Sequence, residues 1–314
     1  MAEHDVVFEA MGSQVRLLIG EPRPDAAPGA IAADRAQLFV AEFEAALSRF
    51  RPNSELCSLN ADPREVVSAS ALLRAAVRAA VEAAERSGGL VDSTLLGEIE
   101  SAGYIATPEG PGVPLSTALA AAPPRRPAAP KVDSPWRRFE VDDGAGTVTR
   151  PPGARLDTGG VGKGLAADLI AAQLHGYRRV VVDCGGDIRI GGAGALVDPY
   201  DVFVEHPLSG ERVFALKLGP SGVATSGLNV RIWQGSDGSY RHHLLDPSSG
   251  EPAWTGLIGA TALGATAVEA ETLAKAALLS GPERGCEVLG ELGGLLVHDD
   301  GEVEAVGPIA ARRL

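Results

Sequence analysis

A glycine-rich stretch at 156–168, LDTGGVGKGLAAD, combines a tight turn, a helix start and one lysine. Free N–H groups at a helix start and the positive end of its dipole favour an anion, and Lys163 adds a full positive charge. The stretch therefore predicts a phosphate site, although a turn with a solvated lysine has the same pattern. Gly164 stands where a P-loop needs serine or threonine, and Leu165 replaces the third glycine of the dinucleotide fingerprint, so neither motif is present.

Two further stretches place polar groups next to glycines. Asp187 follows a Gly-Gly bend directly after an apolar run, and Thr225 and Ser226 precede Gly227. Hydroxyl, carboxylate and backbone N–H groups at such positions can meet a ligand, but the same residues are typical of ordinary turns. The two interpretations stay open at this point.

A histidine pair lies in the segment HHLLDPSSGEP at 242–252. On an extended chain only one of two adjacent side chains faces a given pocket. Histidine transfers protons near neutral pH, and the Asp-Pro turn can fix His243 relative to Asp246. A solvated pair beside a proline turn is the alternative. Zinc is not favoured, because no third nitrogen or sulfur ligand stands at a recognisable spacing.

The elements that must position these residues alternate between helical and extended patterns. Apolar periodicity and turn residues predict helices at 34–50, 70–86, 162–175 and 267–280, and strands around the Met-Gly-Ser turn of 6–19 and at 141–150, 178–192, 201–205, 213–218 and 294–306. Residues 54–60 are expected to form an ordered loop. Helices near both ends, with hairpin-connected strands between them, predict an α+β fold.

The Pro/Ala-rich stretch at 106–135 predicts an irregular connection or a flexible excursion. We expect it to lie within a single domain of residues 1–314, between two lobes. The length of 314 residues suffices for a buried core.

The composition excludes some partners. A formal net charge of −13 argues against nucleic acid or an anionic membrane surface as the main partner. No apolar stretch approaches the roughly 20 residues that span a bilayer, so no membrane insertion is expected. The cysteines Cys57, Cys184 and Cys286 are widely spaced, which indicates free thiols. With neither a signal-like start nor a lipid-attachment cysteine, a cytoplasmic protein is the expectation.

Taken in order, these motifs resemble the ApbE family, the FAD:protein FMN transferases, over nearly the whole length. The matching blocks are MGS at 11–13, FRPNSELCSLN at 50–60, GLVDSTLLGEIESAGY at 89–104, LDTGGVGKGLAAD at 156–168, VVDCGGDI at 181–188, VATSG at 223–227, HHLLDPSSGEP at 242–252 and AETLAKAALLSG at 270–281. The resemblance implies a two-lobed α+β fold, with mixed or antiparallel sheets flanked by helices and a flavin cleft between the lobes.

The resemblance also implies an activity. Members of the family bind FAD, cleave its pyrophosphate with the help of magnesium, and move FMN onto a Thr or Ser hydroxyl of a partner flavoprotein with release of AMP. Some relatives hydrolyse FAD instead. Such a reaction needs charge neutralisation, a positioned acceptor and a group that takes its proton. An FAD-binding protein without transferase activity, acting as a flavin carrier or redox protein, and a cofactor-free interaction protein on the same fold are the alternatives.

Site residues follow from the motif positions of the resemblance. His243 aligns with the family's histidine and is the candidate for handling the acceptor proton. Ser93 stands where the family has proline, beside Asp92. The residues that the resemblance assigns to cofactor binding are Met11, Asn60, Asp92, Lys163, Asp187, Thr225, Ser226 and Gly227.

The helix at 270–281 departs from the family pattern. The family usually has Asp and Thr four residues apart there, on one helical face, as magnesium ligands together with a carbonyl from the glycine-rich turn, here Gly162. This chain has Glu271 and Lys275. Glutamate can still bind magnesium, whereas a protonated ammonium cannot. We therefore expect Gly162 and Glu271 as the metal ligands. Lys275 either replaces the ion's charge, as a catalytic group, or pairs with Glu271.

Overall fold

The computed structural model describes residues 3–106, 112–309 and 311–314. The helices of this part of the chain are α1 (Gly29–Leu47), α2 (Glu55–Ala61), α3 (Ala71–Arg86), α4 (Leu96–Ser101), α5 (Leu115–Ala120), α6 (Gly162–Gln173), α7 (Ala267–Ser280) and α8 (Pro282–Leu289). The strands are β1 (His4–Ala10), β2 (Ser13–Ile19), β3 (Val66–Ser68), β4 (Glu140–Asp142), β5 (Thr147–Thr149), β6 (Val180–Cys184), β7 (Asp187–Gly191), β8 (Tyr200–Glu205), β9 (Arg212–Leu218), β10 (Ser221–Gly227), β11 (Ile232–Gln234), β12 (Tyr240–His242), β13 (Leu257–Gly264), β14 (Gly294–His298), β15 (Val303–Val306) and β16 (Ala311–Arg313).

The main sheet has eight strands in the order β1-β2-β6-β7-β10-β13-β14-β15. Each neighbouring pair in it is antiparallel. Three small sheets, β3-β5-β4, β16-β9-β8 and β11-β12, are antiparallel as well. Helices combined with antiparallel sheets confirm the predicted α+β class.

Helices cover the main sheet because their apolar faces need a partner. One core cluster joins α1, α3 and α6 to strands β2 and β6, and a second joins α7 and α8 to β13 and β14. Helix α7 belongs to both clusters, since Ala267 packs in the first and Ala274 in the second. A third cluster fills the space between the sheet and the β8-β9 hairpin. Helix α7 is thus held on two sides, which makes it a firm base for the side chains it carries.

The first hairpin has a strained turn. Met11 and Gly12, between β1 and β2, have φ angles of 53° and 67°. Positive φ at both central residues is the hairpin turn that follows the right-handed twist of the strands. A non-glycine residue seldom takes this conformation, and such residues concentrate at functional sites. The predicted Met-Gly-Ser turn between two strands is confirmed.

Two local expectations are wrong. Residues 54–60 were expected to form a loop, but residues 55–61 form α2, which Ser54 caps by accepting a hydrogen bond from the N–H of Cys57 at 3.0 Å. A helix of seven residues is too short for apolar periodicity to reveal. For residues 223–227 a turn was one of the two interpretations. These residues instead belong to β10, in the middle of the main sheet, where Gly227 pairs with Gly259.

The described part of the Pro/Ala-rich connection is fixed to the body of the protein. Residues 107–111 of the 106–135 stretch lie outside the described residues. The N–H groups of Arg126 and Ala128 donate to the carbonyls of Trp254 and Leu279, at 2.9 and 2.8 Å. Helix α5 also lies in this stretch. From residue 112 onward it is an ordered connection.

Candidate active site

A cavity of about 370 Å³ lies beside the glycine-rich turn. This volume is within the usual range for small-molecule sites. It brings together six of the residues predicted from the sequence, although these come from distant parts of the chain: Met11, Asp92, Gly162, Lys163, His243 and Lys275. The largest pairwise separation among them spans 264 positions, so only the fold unites them.

Lys163 lies in the first turn of α6 and is held by strand β7. Its ammonium forms an ion pair with Asp187 and donates to the carbonyl of Gly185 at 3.2 Å. Burial lowers the pKa of Lys163, but the negative charges of Asp187 and Glu271 outweigh it and raise the pKa above its ordinary value. Lys163 is therefore a permanent cation. Asp187, which is 1 % exposed, does not line the cavity and acts as the counter-ion behind it.

Glu271 and Lys275 form a second ion pair on α7. The ammonium of Lys275 donates to Oε1 of Glu271 at 2.7 Å, from a position four residues further along the helix. Oε2 of Glu271 accepts the backbone N–H of Gly164 at 2.9 Å. Burial raises the pKa of Glu271, and Asp187 raises it further, whereas the two lysines oppose that shift. The alternative that Lys275 pairs with Glu271 is the one that the structure adopts.

This arrangement does not fit a divalent cation. Both carboxylate oxygens of Glu271 already accept hydrogen bonds, and the Lys275 ammonium stands against one of them. Within the three described ranges, no cluster of three or more His, Cys, Asp or Glu side chains is placed to bind a metal. Magnesium prefers oxygen ligands in an octahedron, and an ammonium supplies none. We therefore assign no step to a metal.

The two histidines face opposite ways. The ring of His242 packs edge-on against Trp254 with centroids 4.7 Å apart, and its side chain is fully buried. His243 lines the cavity. Burial, together with the positive charges of Arg231, Lys275 and Lys163 and the neighbouring His242, lowers the pKa of His243 well below its ordinary value. The His243 imidazole is thus neutral at pH 7 and free to accept a proton.

Asp246 does not orient His243. Its Oδ1 accepts hydrogen bonds from the N–H groups of Ala129 and Ser248, both at 3.0 Å, and from the Ser248 hydroxyl at 2.8 Å. The Asp-Pro turn therefore anchors the Pro/Ala-rich connection, and the expected pairing of His243 with Asp246 is absent among these contacts.

An aromatic wall that includes Phe50 and Tyr104 lines part of the cavity, and the sequence did not indicate it. Tyr104 stacks on Trp233 with centroids 5.4 Å apart and meets Phe50 edge-on at 5.7 Å. The guanidinium of Arg49 lies 4.2 Å from the centre of the Phe50 ring and donates to the Tyr104 carbonyl at 2.7 Å. Arg231 approaches the same tyrosine at 5.8 Å. Flat rings beside fixed cations suit a planar, electron-poor ring that carries phosphates.

Arg231 is the second residue that the sequence did not indicate. It lines the cavity and has a φ angle of 64°, one of two non-glycine residues with positive φ in the described ranges; the other is Met11. The only available signal was its place four residues after Gly227, which marks no known function. Both strained residues of the described chain thus lie at the cavity.

Asp92 lines the cavity, but its carboxylate is engaged locally. Oδ1 accepts from the N–H and hydroxyl of Thr94, at 2.8 and 2.6 Å, and Oδ2 accepts from the Ser134 hydroxyl. Asp92 therefore shapes the cavity wall by fixing the turn after Val91. Its predicted contact with a cofactor stays a prediction.

Besides Asp187 and Glu271, four predicted residues lie outside the cavity lining. Asn60 exchanges two hydrogen bonds of 2.8 Å with the backbone of Leu156, so it positions the start of the glycine-rich stretch. The hydroxyl of Thr225 lies 2.9 Å from that of Thr261, across from β13, and Ser226 is buried in the sheet. Gly227 ends the same strand. Cofactor contacts by these four stay predictions, and the structure shows supporting roles for Asn60 and Thr225.

Gly164 couples α6 to α7, and replacing it should destabilise the protein. A methyl group at this position would lie 2.8 Å from the carbonyl of Ala267 and from Oε2 of Glu271. We expect Gly164→Ala to lower the free energy of unfolding by about 1–3 kcal/mol, although alanine favours helices. Urea unfolding followed by circular dichroism measures this. Gly97→Ala in α4, where the nearest atom is the end of the Arg155 side chain at 3.4 Å, is the control that should be neutral or stabilising.

Comparison with known proteins identifies a family. The family model for the ApbE family matches residues 11–297. An FAD:protein FMN transferase of Escherichia coli is 30% identical over 142 residues, which are 44% of this chain and 40% of that protein. One from Treponema pallidum is 29% identical over 175 residues, 51% of this chain and 48% of that protein. The aligned segments thus span less than half the length of these curated relatives.

Solved structures extend the likeness to the whole fold. The ApbE protein of Thermotoga maritima superimposes with a TM-score of 0.77 and 24% identity, covering 97% of both chains. The flavin transferase ApbE of Vibrio cholerae gives a TM-score of 0.73 and 22% identity, also over 97% of both. At these identities the structures show a shared fold. Since the family model spans nearly the whole sequence, the chain belongs to the ApbE family.

Proposed function

We propose that this protein is an FAD:protein FMN transferase. It binds FAD, transfers FMN through a phosphoester bond to a Thr or Ser hydroxyl of a partner flavoprotein, and releases AMP. Membership of the ApbE family and the activity named for its curated relatives support this. The observation that carries the proposal is the convergence of Lys163, Lys275 and His243 on one cavity beside the glycine-rich turn.

The reaction is a phosphoryl transfer. The acceptor hydroxyl oxygen bonds to the phosphorus on the FMN side of the pyrophosphate, and the bond from that phosphorus to the bridging oxygen breaks. AMP leaves with the bridging oxygen, and the hydroxyl proton passes to the neutral imidazole of His243. Lys163, Lys275 and Arg231 stabilise the negative charge on the phosphate oxygens.

The isoalloxazine ring has a suitable place against the aromatic wall of Phe50 and Tyr104, with Met11 at the strained hairpin turn. The FAD pyrophosphate then lies at the start of α6, where helix N–H groups and Lys163 favour an anion. We include direct contacts with Asp92 and Ser226 in this proposal as implied by the family motifs. Contacts of FAD with Asn60, Thr225 and Gly227 are proposed on the same motif positions, and Asp187 acts from behind the lining as the counter-ion of Lys163.

The pH dependence of transfer tests the role of His243. A base works in its unprotonated form, so the rate falls as pH falls through its pKa. Because that pKa lies well below 6.5, we expect the acidic limb of kcat/KM to lie below pH 6.5. Arg231→Ala removes one of the positive charges that lower the pKa and should move the limb to higher pH. A limb at or above pH 6.5 in the unaltered protein would contradict this assignment.

The activity itself is tested with FAD and an acceptor domain that carries a Thr/Ser flavinylation site. An acceptor that gains the mass of FMN, with AMP released in equal amount, supports the transferase. AMP and FMN released without acceptor modification point to hydrolysis. FAD recovered intact after long incubation excludes both reactions.

A second function has one observation in its favour. The Glu271–Lys275 ion pair occupies the carboxylate expected to bind magnesium, which favours an FAD-binding protein that does not cleave its ligand. Intact FAD in the transfer assay, together with tight FAD binding, would support this reading. A cofactor-free interaction protein predicts instead that FAD gives no thermal stabilisation at all.

The cellular setting is part of the proposal. The three cysteines are free, which is typical of a reducing compartment such as the cytoplasm. Over the described ranges, no helix has the length and hydropathy needed to cross a membrane.

A further inference from the structure

The cavity contains its own positive charge where the family resemblance calls for a metal. Five cations line the cavity. Arg49 and Arg51 form ion pairs with Asp157 and Glu44 of the same lining, Lys163 and Lys275 are supported from behind by the buried carboxylates Asp187 and Glu271, and Arg231 is the fifth. The start of α6 adds the positive end of a helix dipole. A pyrophosphate is therefore met by positive charge supplied by the chain alone.

Lys275 is fixed for this role from two sides. Its side chain is 11 % exposed, and its ammonium is held at 2.7 Å by Glu271, which is fully buried. The same carboxylate accepts the N–H of Gly164, the residue after Lys163, at 2.9 Å. The ammonium of Lys275 is thus tied to the glycine-rich turn itself. An ammonium keeps further N–H donors after one is used, so Lys275 can still donate to a phosphate oxygen.

A divalent cation competes with this arrangement. An ion bound to Glu271 would share its carboxylate with the Lys275 ammonium and the Gly164 N–H, and the ammonium would repel it at short range. The Glu271–Lys275 pair therefore favours a site in which the lysine replaces the metal ion over a site that holds both.

From these contacts we propose that Lys275 is the fixed cation that binds the FAD pyrophosphate, and that the protein binds and turns over FAD without a divalent metal. The turnover part rests on the transferase function proposed above, and the binding part does not.

The test measures FAD affinity by quenching of flavin fluorescence, in EDTA and in magnesium chloride. The unaltered protein should bind FAD equally in both, and magnesium titrated into it should give no binding heat in calorimetry. Lys275→Met should lose roughly ten- to hundredfold in FAD affinity, because a charged hydrogen bond is removed. The affinity of the Lys275→Met variant for riboflavin, which has no phosphate, should not change. If Lys275 had a purely structural role, the variant would bind both FAD and riboflavin more weakly.

Two variants complete the design. Lys275→Thr restores the family's threonine and frees Glu271, so FAD binding by this variant should become magnesium-dependent. Lys217→Met, at an exposed pair with Asp201 on the β8-β9 hairpin, is the matched control and should bind like the unaltered protein. Thermal unfolding of every variant shows whether it is folded.

The outcomes separate the two proposals. FAD binding that is insensitive to EDTA and depends on Lys275 supports the inference, even if no FMN reaches an acceptor. Binding or transfer that requires magnesium in the unaltered protein overturns it, while the transferase function stands. Unaltered affinity in Lys275→Met overturns it as well. Absence of any FAD binding would overturn both.

Discussion

Replacing His243 by alanine is expected to lower kcat for FMN transfer by about 10²- to 10⁴-fold, the usual contribution of a positioned general base. FAD affinity should change little, since the imidazole acts on the acceptor hydroxyl and not on the flavin. The reason lies in the electrostatics of the cavity. Burial and the nearby cations keep the ring neutral, so removal takes away a proton acceptor and not a charge. Rates of FMN gain by the acceptor, from intact mass, and FAD binding by fluorescence give the two readouts.

The adjacent histidine provides the matched control. His242 lies on the other side of the strand, packed on Trp254 away from the cavity lining. His242→Phe should keep the transfer rate within about twofold, as the substituted ring stays outside the reacting groups, although it loses the hydrogen bond from the N–H of Leu244 at 3.3 Å. Equal losses in both variants would indicate a general effect on folding. A His243→Ala variant that keeps more than a tenth of the rate would assign the base to another group.

The sequence pattern correctly predicts that His242 and His243 face different surroundings. Adjacent residues on a strand face opposite sides, so one histidine at most can serve a pocket. The alignment with the family's histidine selects His243, and the structure places this residue at the cavity. Its role as a base stays a prediction. Periodicity was equally informative for α3, which begins after Ser70; the Ser70 hydroxyl caps this helix by accepting the N–H of Leu73 at 3.1 Å. Both patterns are local, which is why they can be read from one sequence.

Long-range partners could not be predicted in this way. Asn60 lies in a matching motif and was therefore assigned to cofactor binding, but its amide is engaged with Leu156, 96 residues further on. The aromatic wall is built from three separate segments. No spacing rule links such residues, because Phe50, Tyr104 and Trp233 come from distant parts of the chain and only the fold brings them together.

The ion pair on α7 could be predicted from the sequence only in part. Spacing of four residues showed that Glu271 and Lys275 share a helical face, but not whether the lysine would pair or would leave the carboxylate open to a metal. The contact of Gly164 with the same carboxylate decides it, and that contact depends on how closely α6 approaches α7. The absence of a Cβ at Gly164 permits this approach.

Arg150 should be the most sensitive position for stability outside the cavity. It is 1 % exposed, and its guanidinium donates to three backbone carbonyls, those of Leu59, at 2.7 Å, Asp62 and Ala154. These carbonyls belong to the end of α2 and to the chain that leads into the glycine-rich stretch. Arg150→Met would remove this donor from the half-buried Asp62 and Ala154, and would leave the Leu59 carbonyl with only the N–H of Asp62, at 3.1 Å. We expect a loss of roughly 3–5 kcal/mol in the free energy of unfolding, measured in urea.

Two further variants make the prediction specific. Arg64 pairs with the side chain of Asp62 at the surface, next to the same turn, and Arg64→Met should therefore change the unfolding free energy little. Arg150→Lys keeps the charge but offers a compact ammonium in place of the planar guanidinium. Its free energy of unfolding should therefore lie between those of Arg150→Met and Arg64→Met. Equal stability of Arg150→Met and Arg64→Met would show that water or rearranged donors satisfy the three carbonyls. A large loss confined to Arg150 would show that α2 and the approach to the phosphate site share one buried cation.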